Sequence, residues 1–362
     1  MRRGGFQLGA GGDKIILGIA GLDFPDEKLN HDEKPPANAV FADMPFFQSR
    51  AKRIARKLGL AGKQGRAPRL SVIVVCYKME EQIGNTLRSL LPPYQQKIKK
   101  SEYEILLVDN GSPEALAEET WKVGDNIRYI YIPPAEASPN PGAAINRAAR
   151  MSRGEAVSVM IDGARMVTPG VLAWGLRLLN AGPRGVVSVL GWHLGPKFQS
   201  ESILEGYNNE VEKEMLLESK WWENGYRLFD IAAASAQTVG GFASRTVESN
   251  CLFMRRELFD EIGGYNEGYG EPGGGLVNLD FYARAVETAD HVFTMLGEGT
   301  FHQVHGGAAT GLTPPQLAEA LARWSAESER LRGELRGPDR KKLILAGHLP
   351  AECRRWLMPD SA

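Results

Sequence analysis

The chain is poor in cysteine, carries almost no net charge and has no long apolar run. Its three cysteines, Cys76, Cys251 and Cys353, form no CxxC pair or other metal-ligand spacing. That excludes a disulfide framework or a thiolate metal centre and leaves small core residues suited to a reducing compartment. Lysine and arginine number 43 against 44 acidic residues, so no global field draws the chain to nucleic acid or acidic lipid. Any such attraction has to be local, and nucleic acid is not an expected partner. No run of about 18 apolar residues occurs, and the N-terminus lacks a signal-peptide pattern. Neither a membrane span nor secretion is expected, which makes cytoplasmic residence the default. With 362 residues there is room for one large domain with appendages or for two domains.

What is present is clearest between Arg69 and Ser112. Leu70 to Cys76 is a short run dominated by β-branched residues, suited to a strand buried on both faces. From Glu80 to Leu91, Ile83, Leu87, Leu90 and Leu91 recur at helical spacing until Pro92-Pro93 closes the segment. Glu104 to Val108 repeats the buried-strand pattern and runs into the polar turn Asp109-Asn110-Gly111-Ser112. Strand, helix and strand make a βαβ unit with parallel strands, which puts Tyr77 and Asp109 at one crevice beyond the strand ends. On their own, Tyr77 also reads as an aromatic packed on the next helix and Asp109 as the anchor of an Asx-turn.

The VIVVCY strand, the EEQIGNTLRSLL helix and the EILLVDNGS strand end resemble the start of a family 2 inverting glycosyltransferase with the GT-A fold. The resemblance implies a Rossmann-like, mixed and mostly parallel sheet with helices on both faces. It also implies a UDP- or dTDP-sugar lying across these strand ends, with Tyr77 beside the base and Asp109 accepting from a ring N–H. The implied acceptor is a hydroxyl on a glycan or lipid-linked glycan. The likeness runs from about Arg69 to Thr310.

Ahead of it, Met1 to Gly12 is glycine-rich, but no strand precedes its GAGG and no GxGxxG is completed. Lys14 to Ala20 suits a short strand, and residues 46–60 read as a helix bearing Arg50, Lys52, Arg53, Arg56 and Lys57. Lys63, Arg66 and Arg69 continue the basic run to residue 69. Such a helix either lies on an anionic membrane surface or grips a phosphate-bearing acceptor, or is a solvated linker packed through Phe46, Ile54 and Leu58. The first reading places the protein peripherally at the inner membrane face. Residues 1–68 are thus an N-terminal extension, 69–310 the transferase-like domain and 311–362 a C-terminal helical tail.

After the βαβ unit the alternation continues. Helices are expected over Ala115–Trp121 and Pro141–Met151, and strands over Arg128–Ile132, Ala156–Ile161 and Gly185–Trp192. The fourth strand delivers Asp162-Gly163-Ala164-Arg165 to the crevice. By the resemblance this is the DXD turn, where two carboxylates serve the ribose and a divalent metal, Mn²⁺ or Mg²⁺. Ala164 replaces the second aspartate, and one carboxylate is a thin ligand set for a hard cation. Arg165 offers positive charge to a phosphate or else faces water. Residues 195–246 break the repeating pattern and hold Tyr207, Trp221, Trp222, Tyr226 and Phe229. These aromatics either flank a glycan acceptor or pack the insert onto the sheet.

Strand and helix return at Asn250–Arg255 and Glu257–Ile262. The family's ED pair, source of the general base, should stand at the next helix start, where this chain has Val277 and Asn278. Asp280 and Glu271 remain as candidate catalytic carboxylates, with Glu267 nearby. Asp280 and Arg284, four apart, also make an ordinary helix-surface pair worth about 0.3–0.5 kcal/mol. Gly274, within Gly273-Gly274-Gly275, presents backbone N–H groups to a phosphate or forms a tight turn. After a last strand over His291–Leu296, His302 and His305 match the histidine that completes the metal site in many such enzymes. Without its second DXD aspartate and its ED pair, the chain also reads as a non-catalytic module that binds a nucleotide-sugar or glycan. From Leu317 to Leu335 an amphipathic helix is expected, with a peripheral tail after it.

Overall fold

Runs of β-branched residues and leucine, buried along their whole length, form the centre of the sheet: β1 (Leu70–Cys76), β2 (Tyr103–Asn110) and β4 (Ala156–Met160). The computed structural model describes residues 67–244, 246, 248–306, 312, 314–333 and 343–357. β1 lies between β2 and β4, and all three are parallel. β3 (Ile127–Ile132) extends the sheet beyond β2. On the other side, β8 (Leu252–Arg255) runs antiparallel between β4 and β6 (Gly185–Leu194). β6 pairs in parallel with β9 (His291–His302), and β10 (Leu343–Gly347) pairs in parallel beyond it. The order is β10-β9-β6-β8-β4-β1-β2-β3, with the short β5 (Arg165–Val167) on β9 and β7 (Ala232–Ala234) on β6. The mixed, mostly parallel sheet expected from the sequence is the one observed.

Because side chains alternate along a strand, β1 feeds two cores. Val72 and Val74 meet α1 (Glu80–Leu90) through Ile83 and Leu87, in a cluster that also holds Leu172 and Leu176 further along the chain. Ile73 and Val75 share the opposite cluster with Ile145, Ala148, Phe259 and Phe281. Between those clusters in sequence come the single turn α2 (Glu118–Trp121), then α3 (Pro141–Met151) and α4 (Val171–Ala181). α3 starts as expected: Asn140 caps it by accepting from the Gly142 N–H at 2.7 Å, and Pro141 occupies the first turn. Each leucine fully buried in these faces contributes roughly 1.5–3 kcal/mol.

The irregular insert supplies α5 (Gln199–Leu204), α6 (Asn209–Ser219) and β7. Beyond it follow α7 (Arg256–Ile262), α8 (Val277–Thr288) and α9 (Pro314–Arg332). Of the insert's aromatics, Tyr207, Trp221 and Phe229 are buried. Trp221 and Phe229 share a third core with Trp192, Phe242 and Phe301, while Trp222 stays 43% exposed. Tyr226 packs, half-buried, against the same core, so the packing alternative describes four of the five aromatics and Trp222 alone is a largely exposed ring.

Two departures from the sequence reading have a common cause. β9 continues six residues past Leu296, because a bulge lets Gly297-Glu298-Gly299 stay in the sheet; the register on β6 shifts between Ser188 and Leu190. Gly297 takes φ +78°, and a Cβ there would run into the His348 carbonyl. The stretch expected as a peripheral tail makes that close approach: β10 joins the sheet, and Cys353 and Trp356 enter the third core. All three cysteines are buried and free, as expected. The basic segment 46–66 and the strand expected over Lys14–Ala20 lie outside the described residues.

Glu104, at the start of β2, is a buried carboxylate tied on every side. It accepts from Ser71 Oγ at 2.8 Å, from the Arg153 N–H at 2.6 Å and from the Arg153 side chain at 2.9 Å. Burial raises its pKa, but these donors together hold it below the usual carboxylate range. A carboxyl depressed in the folded state stabilises it above its unfolded pKa of about 4.3, and that contribution is lost as pH falls through the folded value. Glu104→Gln should therefore cost about 1–3 kcal/mol at pH 7 and flatten the acid side of the stability profile, as read by urea denaturation from pH 7 to 3.

Candidate functional site

The site is assembled where β4 ends. Gly163 leaves no room for a side chain: a Cβ would stand 2.7 Å from the Val75 carbonyl. The chain turns there, held by Thr86 Oγ donating to the Gly163 carbonyl at 2.6 Å and by the Ala164 N–H donating to Asp162 Oδ1 at 3.0 Å. It enters β5, which pairs with the far end of β9 so that Arg165 opposes His302. That register sets Asp162 against two histidines. Asp162 Oδ2 is 2.8 Å from His302 Nε2, Asp162 Oδ1 is 3.7 Å from His305 Nε2, and the two imidazole nitrogens are 3.0 Å apart. Arg165 Nε lies 3.5 Å from Asp162 Oδ2.

Gln199, fully buried on α5, puts its side-chain oxygen 2.6 Å from His302 Nδ1. An amide oxygen only accepts, so the His302 proton belongs on Nδ1 and the Nε2 lone pair faces Asp162. Burial, reinforced by the Arg165 charge, brings the His302 pKa down to about 4 and that of the neighbouring His193 to about 3. Asp162 is held well below its ordinary range: burial opposes this, and the two histidines outweigh it. The Asp162 carboxylate thus faces the His302 Nε2 lone pair at contact distance with His305 Nε2 beside both, an arrangement that a cation relieves. The three ligand atoms lie within 4.8 Å of one another. Two ligands at right angles on a divalent ion at about 2.1 Å stand about 3.0 Å apart, so the donor set fits such an ion. Around the cluster, Arg165 Nε, His193 Nδ1 and Gln199 Nε2 are buried without a hydrogen-bond partner.

The histidine segment is fastened from two sides. From α1, Asn85 Nδ2 donates to Gln303 Oε1 at 3.1 Å and Gln82 Nε2 to the Val304 carbonyl at 2.8 Å. Gln303 Nε2 donates back to Thr86 Oγ at 3.1 Å. From α6, Glu212 accepts from the Val304 N–H at 2.8 Å and from the Tyr207 hydroxyl at 2.9 Å. Burial pushes the Glu212 carboxyl up to about 7, with those two donors opposing. None of these fasteners, nor Gln199, stood out in the sequence. The available signal was Gln82 and Thr86, polar residues buried on the inner face of an amphipathic helix.

The other expected residues are placed as follows. Ala164, at the second DXD position, is completely buried, so a carboxylate there would point into the core. Tyr77 is 50% exposed at the end of β1, beside the Asp109 turn. Asp109 is fully buried and accepts from the Ser112 N–H at 3.2 Å and from the Tyr129 hydroxyl at 2.9 Å; it anchors the turn. Gly274 donates its N–H to the Glu271 carbonyl at 2.8 Å, and Gly273 donates to the Pro139 carbonyl at 3.1 Å, which is the tight-turn alternative. Glu271 Oε2 lies 3.5 Å from Arg323 Nε on α9. Asp280 is sealed between Arg284 at 2.8 Å and Arg332 at 3.1 Å, with no exposed surface. Arg284 also donates to the Ile262 and Gly264 carbonyls. Asp162, Arg165, His302 and His305 are therefore brought together, whereas Asp280 and Glu271 are engaged by arginines from α8 and α9.

Residues 71–235 match the family model described as glycosyl transferase family 2. The match takes in Asp109 and Asp162 and stops before both histidines. An uncharacterized protein, y4gI, of Sinorhizobium fredii (strain NBRC 101917 / NGR234) is 24% identical over 192 residues, 51% of this chain and 19% of that protein. The crystal structure of S. aureus TarS residues 1–349 is 16% identical with a TM-score of 0.45, covering 72% of this chain and 65% of that one. The same TarS fragment in complex with UDP-GlcNAc is also 16% identical with a TM-score of 0.45, over 72% and 66%. The chain spans just under two thirds of the TarS fragment and a fifth of the curated relative.

Asp280→Asn should lower the unfolding free energy by about 3 kcal/mol, since it leaves two part-buried guanidinium groups facing a neutral amide. Tyr77→Ala should change it by no more than about 0.5 kcal/mol. Chemical denaturation of both variants checks the contrast.

Proposed function

We propose that the chain is an inverting glycosyltransferase that moves a sugar from a UDP- or dTDP-sugar to a hydroxyl of a glycan or lipid-linked glycan. The observation that carries this reading is the convergence of Asp162, His302 and His305 beyond the carboxyl end of the sheet, where open α/β sheets bind their ligands. It is supported by the family 2 match that leads into the site. A divalent cation held by Asp162, His302 Nε2 and His305 Nε2 would, when bound, offset the charge that develops on a departing diphosphate. Two imidazoles favour Mn²⁺ over Mg²⁺ as that cation.

The chain's own residues supply the rest. Arg165 adds fixed positive charge with a buried, unpaired N–H beside Asp162. Tyr77 offers a flat exposed face to the base, and Asp109 braces the turn behind it through Ser112 and Tyr129. In the reaction the acceptor oxygen attacks the anomeric carbon from the face opposite the diphosphate, through an oxocarbenium-like transition state, while a carboxylate takes the hydroxyl proton. Trp222 is the insert residue exposed enough to meet a sugar face. No helix among the described residues is long and apolar enough to cross a membrane. Peripheral contact through the basic residues 46–69 at the inner face of the membrane would bring a lipid-linked acceptor within reach.

Calorimetric titration of UDP and dTDP, with and without Mn²⁺ or Mg²⁺, tests the reading. Binding should depend on the metal and disappear in Asp162→Ala and His305→Ala. Gln199→Leu, which frees the His302 ring, should weaken Mn²⁺ binding about 10- to 100-fold. If neither nucleotide binds under any condition, the donor site is refuted. If a nucleotide binds but no UDP is ever released from a UDP-sugar, the non-catalytic module becomes the better reading.

A further inference from the structure

Sugar transfer by direct displacement requires a carboxylate at the site mouth that is free to accept a proton, and most of the acidic groups nearby are already committed. Asp162 faces the histidines, Asp280 lies between two arginines and Glu271 meets Arg323. Glu298 is fully buried, accepting from Thr168, Gly170 and Tyr226 and lying 2.5 Å from His348. Glu212 is buried against Tyr207 and Val304. Glu248 differs from all of these. It is half-buried, and its two oxygens accept from two neutral amides, Gln237 Nε2 on Oε1 and Asn278 Nδ2 on Oε2, the latter at 2.9 Å. Among the described residues no lysine or arginine forms an ion pair with it. Two neutral amide donors fix the carboxylate's direction and leave it without a cationic partner among the described residues.

Its position follows from topology. Glu248 precedes β8, which runs antiparallel to β4 and β6, so the start of β8 lies at the end of the sheet where β4 delivers Asp162. Asn278 is in the first turn of α8. Gln237 belongs to a turn whose Ser235 and Thr238 hydroxyls both donate to the Gly191 carbonyl of β6, at 2.7 and 3.1 Å. On Gly191 a Cβ would stand 3.2 Å from Arg165 Nη1. Hydrogen bonds thus tie Glu248 through Gln237 and the 235–238 turn to Gly191, and the bare α-carbon of Gly191 leaves open the space beside Arg165, the neighbour of Asp162.

We propose that Glu248 is the general base of the transfer. It takes the acceptor hydroxyl's proton as the acceptor oxygen bonds to the anomeric carbon; the bond from that carbon to the diphosphate breaks, and its electron pair leaves with the nucleoside diphosphate. Gln237 and Asn278 are positioning residues that aim the carboxylate. This assignment rests on the glycosyltransferase reading, and its test separates the two.

UDP release from UDP-glucose, UDP-galactose and UDP-GlcNAc in MnCl₂, with water as the acceptor, would be followed in the full-length wild type and in Glu248→Gln, beside UDP affinity by calorimetry. The variant should lose 10²–10⁴-fold in kcat, lose the acid limb of the pH–rate profile and keep UDP affinity within about threefold. Asn278→Leu should lower kcat by about tenfold and leave the UDP affinity equally unchanged. A Glu248→Gln protein with near wild-type kcat overturns the assignment while leaving the transferase reading intact. So does a fall in kcat matched by an equal fall in UDP affinity. A wild type that neither binds UDP nor releases it overturns both.

Discussion

The candidate site depends on one short pairing, that of β5 with the end of β9. Three residues, Arg165 to Val167, lie antiparallel to Thr300 to His302, and that register sets Asp162 within 2.8 Å of His302. Because neighbouring strand residues point to opposite faces, a slip of one residue would turn His302 away from Asp162. The surrounding polar groups serve to hold this register. Thr86 fastens the turn before β5, and Gln82, Asn85 and Glu212 fasten the segment after β9. Gln199 sets the tautomer that leaves the His302 lone pair facing inward. The insert, through α5 and α6, is therefore part of the site's support as well as a cover for the sheet.

The central βαβ unit was legible in the sequence because its signals are local. Runs of β-branched residues buried on both faces, a helix with apolar spacing and a Pro-Pro stop each act within a dozen residues, and β1, α1 and β2 form where expected. The first half of β9 was legible as the strand His291–Leu296, but its continuation to His302 and the whole of β10 were not, for a related reason. Gly297-Glu298-Gly299 has the composition of a turn, and only its packing against His348 shows that the glycines admit a bulge within one long strand. The edge strand Leu343–Gly347 has no partner nearby in sequence, so its pairing with β9 leaves no local pattern.

The site was legible in part. The convergence of Asp162 with the two histidines was legible because residue type and strand-end position coincide, and Arg165 followed from adjacency. Asp109 and Asp280 show the limit of that method. Both are carboxylates at the right end of the sheet, yet one anchors an Asx-turn and the other closes an arginine clamp. Sequence position cannot tell a buried structural carboxylate from one that faces a ligand, because the difference lies in partners brought from distant segments: Tyr129 in one case, Arg332 in the other. Gln199 and Glu248 escaped notice for the converse reason, since neither carries a motif and each acquires its role from what it bonds.

The measurement that tests the central claim most directly is anomalous diffraction from a crystal of the protein soaked in Mn²⁺. The account predicts one strong peak bounded by Asp162, His302 Nε2 and His305 Nε2, at about 2.0–2.3 Å from each ligand atom. An absent peak, or a peak elsewhere with His302 and Asp162 still in direct contact, would mean that the cluster is a proton-sharing structural triad, and the metal-centred account of the site would be wrong.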